Sequence, residues 1–259
     1  MGEHGLSERQ ACRTVHLNRC TYRYQAKKTD DHEIVQELHQ LAESQPRWGC
    51  RKMTDYLRNQ GHRWNHKRIR RIYRGLALNL HRKPKKRLAA RTALALAVPG
   101  QSDLTWSLDF MSDSLSNGRA IRTLNIMDDY NREALWIEID TSLPAERVVR
   151  VLENLLLWRA APKQIRMDNG PELISQRLER WAKEQQIDLL HIQPGKPAQN
   201  AYVERFNRTF REDVLDAYLF DNLEEVRAIT EHWLEEYNTI RPHDALQGLS
   251  PRQYAIQNA

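Results

Sequence analysis

Between residues 105 and 217 the apolar periodicity of this 259-residue chain changes in a fixed order, and that order limits the fold more than any single motif. Alternation at a spacing of two predicts strands at about 105–111, 119–128 and 132–140. A helical spacing follows over about 144–159, where Val148, Leu152 and Leu155 share one face. A strand at 163–168, a helix at 173–185, a strand at 187–193 and a helix at 198–217 come next. Each element has one apolar side to bury, so the series predicts an α/β fold in which helices cover a mixed sheet. A last helix, about 222–238, is amphipathic through Val226, Ile229, Trp233 and Tyr237.

Three carboxylates occupy telling positions on these elements. Asp109 lies within the first strand, where Trp106, Leu108 and Phe110 share one face and Ser107, Asp109 and Met111 the other. Aspartate is depleted in strands, and an acid between bulky apolar neighbours is costly without a charge partner. A metal is such a partner; the alternative is an edge strand with Asp109 in solvent. Asp168 ends a strand before Asn169-Gly170, which by itself reads as a turn. Turn and ligand are compatible roles, because strand ends in such sheets present side chains to clefts. Glu204 sits on the helix whose core face is Val203, Phe206, Phe210 and Val214. Its other face carries Asn200, Glu204, Asn207, Arg208 and Arg211, either a solvated stripe or a site facing phosphates. Magnesium takes oxygen ligands, and two such ions clamp the attacking and leaving oxygens of a phosphoryl displacement. Asp113, Asp128, Asp129 and Glu172 compete for the same role; Asp128-Asp129 is expected to end the second strand and cap the following turn.

The front of the chain differs in charge. Residues 1–100 carry 22 Lys and Arg against 8 Asp and Glu, whereas residues 101–259 carry 18 against 26. A basic front half implies a polyanionic partner, because Lys and Arg contacts to phosphates release counterions. Ser7 to Tyr24 reads as helix, turn, helix: a small helix-turn-helix, or a hairpin that only packs on the next segment. Amphipathic helices follow at 30–41 and 49–59, the second ended by Gly61. A third, Lys67 to Leu76, is capped by Asn65, buries Ile69, Ile72 and Tyr73, and displays Lys67, Arg68, Arg70, Arg71 and Arg74. A short turn before a basic helix is what a DNA recognition helix requires. Residues 82–104 read as a basic linker, which divides the chain into 1–81, 82–104 and 105–259. Lys196, in a Pro- and Gly-rich loop before the Glu204 helix, is a further candidate for holding DNA phosphate. Cys12, Cys20 and Cys50 are odd in number and lack paired spacing, so they are expected to be free thiols. His62 and His66 have the spacing of helical metal ligands, but no cysteine pair follows, so no zinc module is expected. No apolar run approaches the roughly 18 residues of a membrane span, and the first residues lack a secretory core. A bacterial cytoplasmic location, at the nucleoid, is expected.

The motif blocks are Trp106-Ser107-Leu108-Asp109-Phe110-Met111, Leu124 to Asp129, Ile165 to Glu172, Gln193 to Thr209, and Tyr237-Asn238 with Arg241-Pro242-His243. In this order and spacing the chain resembles the second-reading-frame (orfB) transposase subunit of the IS-three family of bacterial insertion sequences. That family belongs to the retroviral-integrase superfamily. The resemblance implies a ribonuclease-H-like core following a helix-turn-helix-like region, with Asp109, Asp168 and Glu204 as catalytic metal ligands. It implies two Mg²⁺ ions, replaceable by Mn²⁺, with Asp109 bridging them. The implied chemistry cuts insertion-sequence ends and joins the freed 3′-hydroxyl to another DNA strand. Arg211, seven positions after Glu204, is implied to bind phosphate, with Arg208 beside it. The implied partners are double-stranded DNA, further copies on that DNA, and the upstream-frame (orfA) product, normally as a frameshift fusion. A metal-dependent nuclease on the same fold and a non-catalytic DNA-binding regulator are the rival functions.

Overall fold

The computed structural model of the chain describes residues 5, 7–25, 30–80, 96–193 and 197–258. The basic arm 82–87 and Lys196 lie outside the described residues.

Helix α1 (Glu8–Thr14) starts at Ser7, which exchanges hydrogen bonds with Gln10 in a capping box. The short α2 (Arg19–Tyr22) begins at Asn18, whose side chain accepts from the Cys20 N–H. Helices α3 (His32–Ser44), α4 (Cys50–Asn59) and α5 (His66–Gly75) then enclose one small core. Ile34, Leu38 and Leu41 meet Met53, Leu57, Ile69, Ile72 and Tyr73 there, with Trp48 between them. Gly61 follows α4 at φ +96°, a left-handed turn that favours glycine. Asn65 caps α5 by accepting from the Lys67 N–H, as expected. His62 falls in the turn before α5 and stacks on Trp64, so it shares no helix with His66.

The rest builds a five-stranded sheet in the order β3-β2-β1-β4-β5. Strands β1 (Thr105–Ser114), β2 (Ala120–Asp128) and β3 (Ala134–Asp140) are antiparallel neighbours. β4 (Gln164–Met167) runs parallel to β1, and β5 (Asp188–His191) parallel to β4. Helices α6 (Ala145–Leu156) and α7 (Gln176–Glu184) supply the crossovers and cover one face. Trp106, Leu108, Leu124, Ile126 and Ile165 pack there against Val148, Leu152, Leu178 and Trp181. Helices α8 (Ala201–Phe210) and α9 (Leu223–Thr239) cover the other face, where Phe206, Phe210, Val226 and Tyr237 meet Met111, Ile121, Met127 and Ile137.

Two departures from the sequence expectation matter. The helix expected over 198–217 is three pieces: a tight turn at Pro197–Asn200, α8, and a wide π turn at Arg211–Leu215. The wide turn lets both Val214 and Leu215 reach the second core, which a regular helix would set about 100° apart. A further helix, α10 (Pro251–Gln257), lies beyond the helices that the periodicity predicts, although its start is marked in the sequence. Ser250 and Gln253 form a capping box, and Pro251 fills the first turn.

Candidate active site

Strand β1 is the middle strand of the sheet, and Asp109 stands two residues past Ser107, the last residue that pairs with β4. It lies opposite Asn125 of β2. The Phe110 N–H donates to its Oδ1 at 2.9 Å, and Asn207 Nδ2 of α8 donates to its Oδ2 at 2.7 Å. Asn125 Nδ2 in turn donates to Asn207 Oδ1 at 2.6 Å. Seven residues before Asn207, Asn200 Nδ2 donates to the Leu108 carbonyl at 3.2 Å. Asn125, Asn200 and Asn207 are all buried, so a polar layer lies between α8 and β1 in an otherwise apolar interface. The sequence places Asn200 and Asn207 on an outward polar stripe; the fold turns them inward. The signal was available, because both share a helical face with Glu204, at four positions before and three after.

Burial, and then the negative charge of Asp168 and of Glu204, push Asp109 up to about 7. Its hydrogen-bond partners are an amide and a backbone N–H, with no cation among them. Asp168 comes from the end of β4 and Glu204 from the first turn of α8, so three separate elements bring the carboxylates into one electrostatic field. They do not share a common shell: among the described residues no three His, Cys, Asp or Glu side chains are grouped to hold one metal ion. The cause is local. Asp168 Oδ1 accepts the Gly170 N–H at 3.0 Å, the turn anticipated from Asp-Asn-Gly, while Glu204 is solvent-exposed beside Arg208. Burial raises the Glu204 carboxyl, and Arg208 opposes the shift.

The competing acids have other partners. Asp128 and Asp129 are fully buried. Asp128 accepts the Asp103 and Tyr130 N–H groups at 2.8 and 2.9 Å, and burial pushes it up to about 6. Asp129 binds Arg166 and Ser107. Together they close the turn from β2 to β3, as the sequence suggests. Glu172 pairs with Arg122. Asp113 pairs with Arg211 at 3.2 Å.

The cations are divided too. Arg211 also donates to the Ser112 carbonyl at 2.8 Å, so its guanidinium is drawn to the end of β1. On α5, Arg68 and Arg71 both bind Asp31, at 2.7 and 2.6 Å. Lys67, Arg70 and Arg74 are left on the exposed face of that helix. Five cations read as one DNA face therefore include two that tie α5 to the start of α3.

An integrase core domain family matches residues 100–197, and a second integrase core domain family matches residues 185–251. An HTH-like domain family matches residues 27–87, which holds α3 to α5 and excludes α1 and α2. The chain is 39% identical over 254 residues to an insertion element IS407 uncharacterized 31.7 kDa protein of Burkholderia multivorans, covering 98% of this chain and 92% of that protein. It is 27% identical over 247 residues to transposase InsD for insertion element IS2 of Escherichia coli, covering 90% of this chain and 82% of that one. Among solved structures, a simian T-cell lymphotropic virus intasome in complex with PP2A regulatory subunit B56 gamma aligns with a TM-score of 0.54 at 16% identity, over 86% of this chain and 74% of that one. That likeness establishes the fold as the integrase, ribonuclease-H-like type. Among the described residues no helix is long and apolar enough to cross a membrane.

Proposed function

The chain belongs to the insertion-element transposases built on an integrase core, and on that premise we propose that Asp109, Asp168 and Glu204 form the centre at which it cuts and rejoins DNA. The observation that carries this reading is Asp109 itself: a half-buried acid on the central strand, opposed by two other carboxylates and held only by neutral donors. Such a site lacks positive charge, and an all-oxygen donor set fits a hard divalent cation such as Mg²⁺ or Mn²⁺. When bound, two such ions would activate the attacking oxygen and neutralise the leaving oxygen of an in-line displacement at phosphorus.

The residues do the rest. Asn207 and the Phe110 N–H occupy both Asp109 oxygens, which fixes the carboxylate's orientation on a rigid strand. Asp168 is held at the end of β4 by the Gly170 N–H on its Oδ1. Glu204 contributes its carboxylate from the solvent-exposed first turn of α8. Arg208, one helical turn beyond Glu204, and Arg211, at the start of the π turn, are placed to hold backbone phosphates; Arg211 does so by leaving Asp113. The attacking groups are water for cleavage and a DNA 3′-hydroxyl for joining, so no side-chain nucleophile is needed. Helix α5 with Lys67, Arg70 and Arg74 serves DNA binding, the core from Thr105 onward serves catalysis, and several copies assemble on DNA with an upstream-frame partner.

Asp109→Asn, Asp168→Asn and Glu204→Gln are expected each to abolish cleavage and joining while DNA binding persists. Assays on precut and uncut ends with added Mg²⁺ test this. Activity in any one variant removes that residue from the centre. Cleavage without joining by the wild type would favour the nuclease.

A further inference from the structure

A second polar site lies on the flank of α8 away from Glu204. It is a cleft of about 590 Å³ enclosed by α4, the β2–β3 turn, α8, the end of α9 and the following loop. Its size is that of a ligand cleft. Tyr202, Phe206 and Tyr237 make part of the wall, and Lys52, Arg132 and Arg205 also line it.

The cations are unusual in what they lack. Among the described residues Lys52, Arg132 and Arg205 make no salt bridge, whereas neighbouring Arg241 is taken by Asp213. Arg132 Nη1 is buried without a hydrogen-bond partner, and its guanidinium lies 3.4 Å from the centre of the Tyr202 ring. Arg132 holds φ +61°, the left-handed region that non-glycine residues avoid. His243, edge-on to Tyr237, lines the same cleft with Nε2 buried and unpartnered. Burial, then the charges of Arg241, Lys52, Arg132 and Arg205, hold the imidazole well below its ordinary value, so at neutral pH it is uncharged and can donate one hydrogen bond. Asp244 is the single acid on the lining, and it is exposed and faces Arg51 at 3.6 Å. Buried polar atoms are ordinarily satisfied. An unsatisfied guanidinium donor on one of three cations that make no salt bridge, with an unpartnered imidazole nitrogen beside it, describes a site suited to an anion.

We propose that this cleft binds a phosphate group of the DNA on which the enzyme acts, with Lys52, Arg132 and Arg205 as its charged ligands and His243 Nε2 as a neutral donor. The source of the phosphate rests on the DNA-joining reading; the need for an anion does not. Tyr202 and Arg205 belong to the same helix as Glu204 but point elsewhere around it, so an occupied cleft lies about one helix diameter, ~10 Å, from the catalytic face. A strand leaving the carboxylates could therefore be gripped on the far side of α8. Lys52 comes from the helical front region, so the bound phosphate would also fasten α4 to the core.

The test uses the full chain carrying Glu204→Gln, so that binding is read without cleavage. Lys52→Gln and Arg132→Ala are compared with their parent for affinity to duplex and single-stranded oligonucleotides over a range of salt. Inorganic phosphate and pyrophosphate are titrated separately, followed by the His243 ring NMR signals. Each variant is expected to weaken DNA binding roughly tenfold, the scale of one charge-assisted contact, and to flatten the salt dependence. Pyrophosphate should shift the His243 signals in the parent and not in the variants. Should Arg132→Ala fail to fold, Lys52→Gln alone decides. Phosphate or pyrophosphate binding with unchanged DNA affinity would overturn DNA as the source. Unchanged affinity for every probe would overturn the site. Loss of joining in the triad variants alone tests the catalytic reading, so the two can fail separately.

Discussion

Replacing Asn207 with Ala should be costly out of proportion to its size, because two buried groups depend on it. Its Nδ2 donates to Asp109 at 2.7 Å, and its Oδ1 accepts from Asn125 at 2.6 Å. At pH 8, above the value of about 7 to which burial and then Asp168 and Glu204 push Asp109, the first bond is to a charged group. Such a bond is worth about 1.5–3 kcal/mol. Asn125 already has a buried Oδ1 without a partner. Without Asn207 its whole amide is unsatisfied, a further cost of about 1–3 kcal/mol. The expected loss is therefore about 3–5 kcal/mol, measured by urea unfolding of the metal-free protein. Asn125→Ala alone should cost about 1–2 kcal/mol, since it strands Asn207 Oδ1 but removes an existing unsatisfied atom. In the Asn207→Ala background the same change should be neutral or stabilising, because it then removes only an unpaired group. The double-mutant cycle thus gives a coupling of at least about 1 kcal/mol. A loss below about 1 kcal/mol for Asn207→Ala, or strict additivity of the pair, would refute the role given to this polar layer.

Other expectations follow from the charges. Lys67→Ala, Arg70→Ala and Arg74→Ala should each lower DNA affinity and reduce the slope of log affinity against log salt by about 0.9. Arg68→Ala should instead lower stability slightly, through Asp31, and leave the salt slope unchanged; wild-type slopes for the first three variants would remove α5 as the DNA face. Arg211→Ala should slow joining alike on every end sequence, and unchanged rates would mean that Asp113 keeps this arginine occupied throughout. Burial, then Arg241, lowers Lys52 to about 8, with Arg205 acting in the same direction and Asp213 and Asp244 opposing it. Between pH 8 and about 10.5 the unfolded chain therefore binds the extra proton, so stability should rise with pH across that window, by up to about 2–3 kcal/mol. Lys52→Met should flatten that rise in urea titrations, and an unchanged curve would show that the amine is solvated.

The sequence by itself determined the strands of the sheet and most of the helices, though not α10 or the breaks on either side of α8. Alternation in Thr105–Met111 and the helical spacing of Val148, Leu152 and Leu155 are local consequences of which side chains must leave water, and the observed strands and helices follow them to within a few residues. It also located Asp109, Asp168 and Glu204 as acids in settings that ask for a reason. Only the tertiary structure decided which neighbours each would meet. A polar residue on a helix reads as solvent-facing until another element covers it, and β1 and β2 cover Asn200 and Asn207. Five cations on α5 read alike until Asp31 claims Arg68 and Arg71. The cleft at Lys52, Arg132, Arg205 and His243 draws on segments up to 191 positions apart, so no local pattern announces it. Periodicity is a property of the nearest few residues; pairing, burial and the fields that shift a carboxyl are set by whatever the fold brings across from elsewhere.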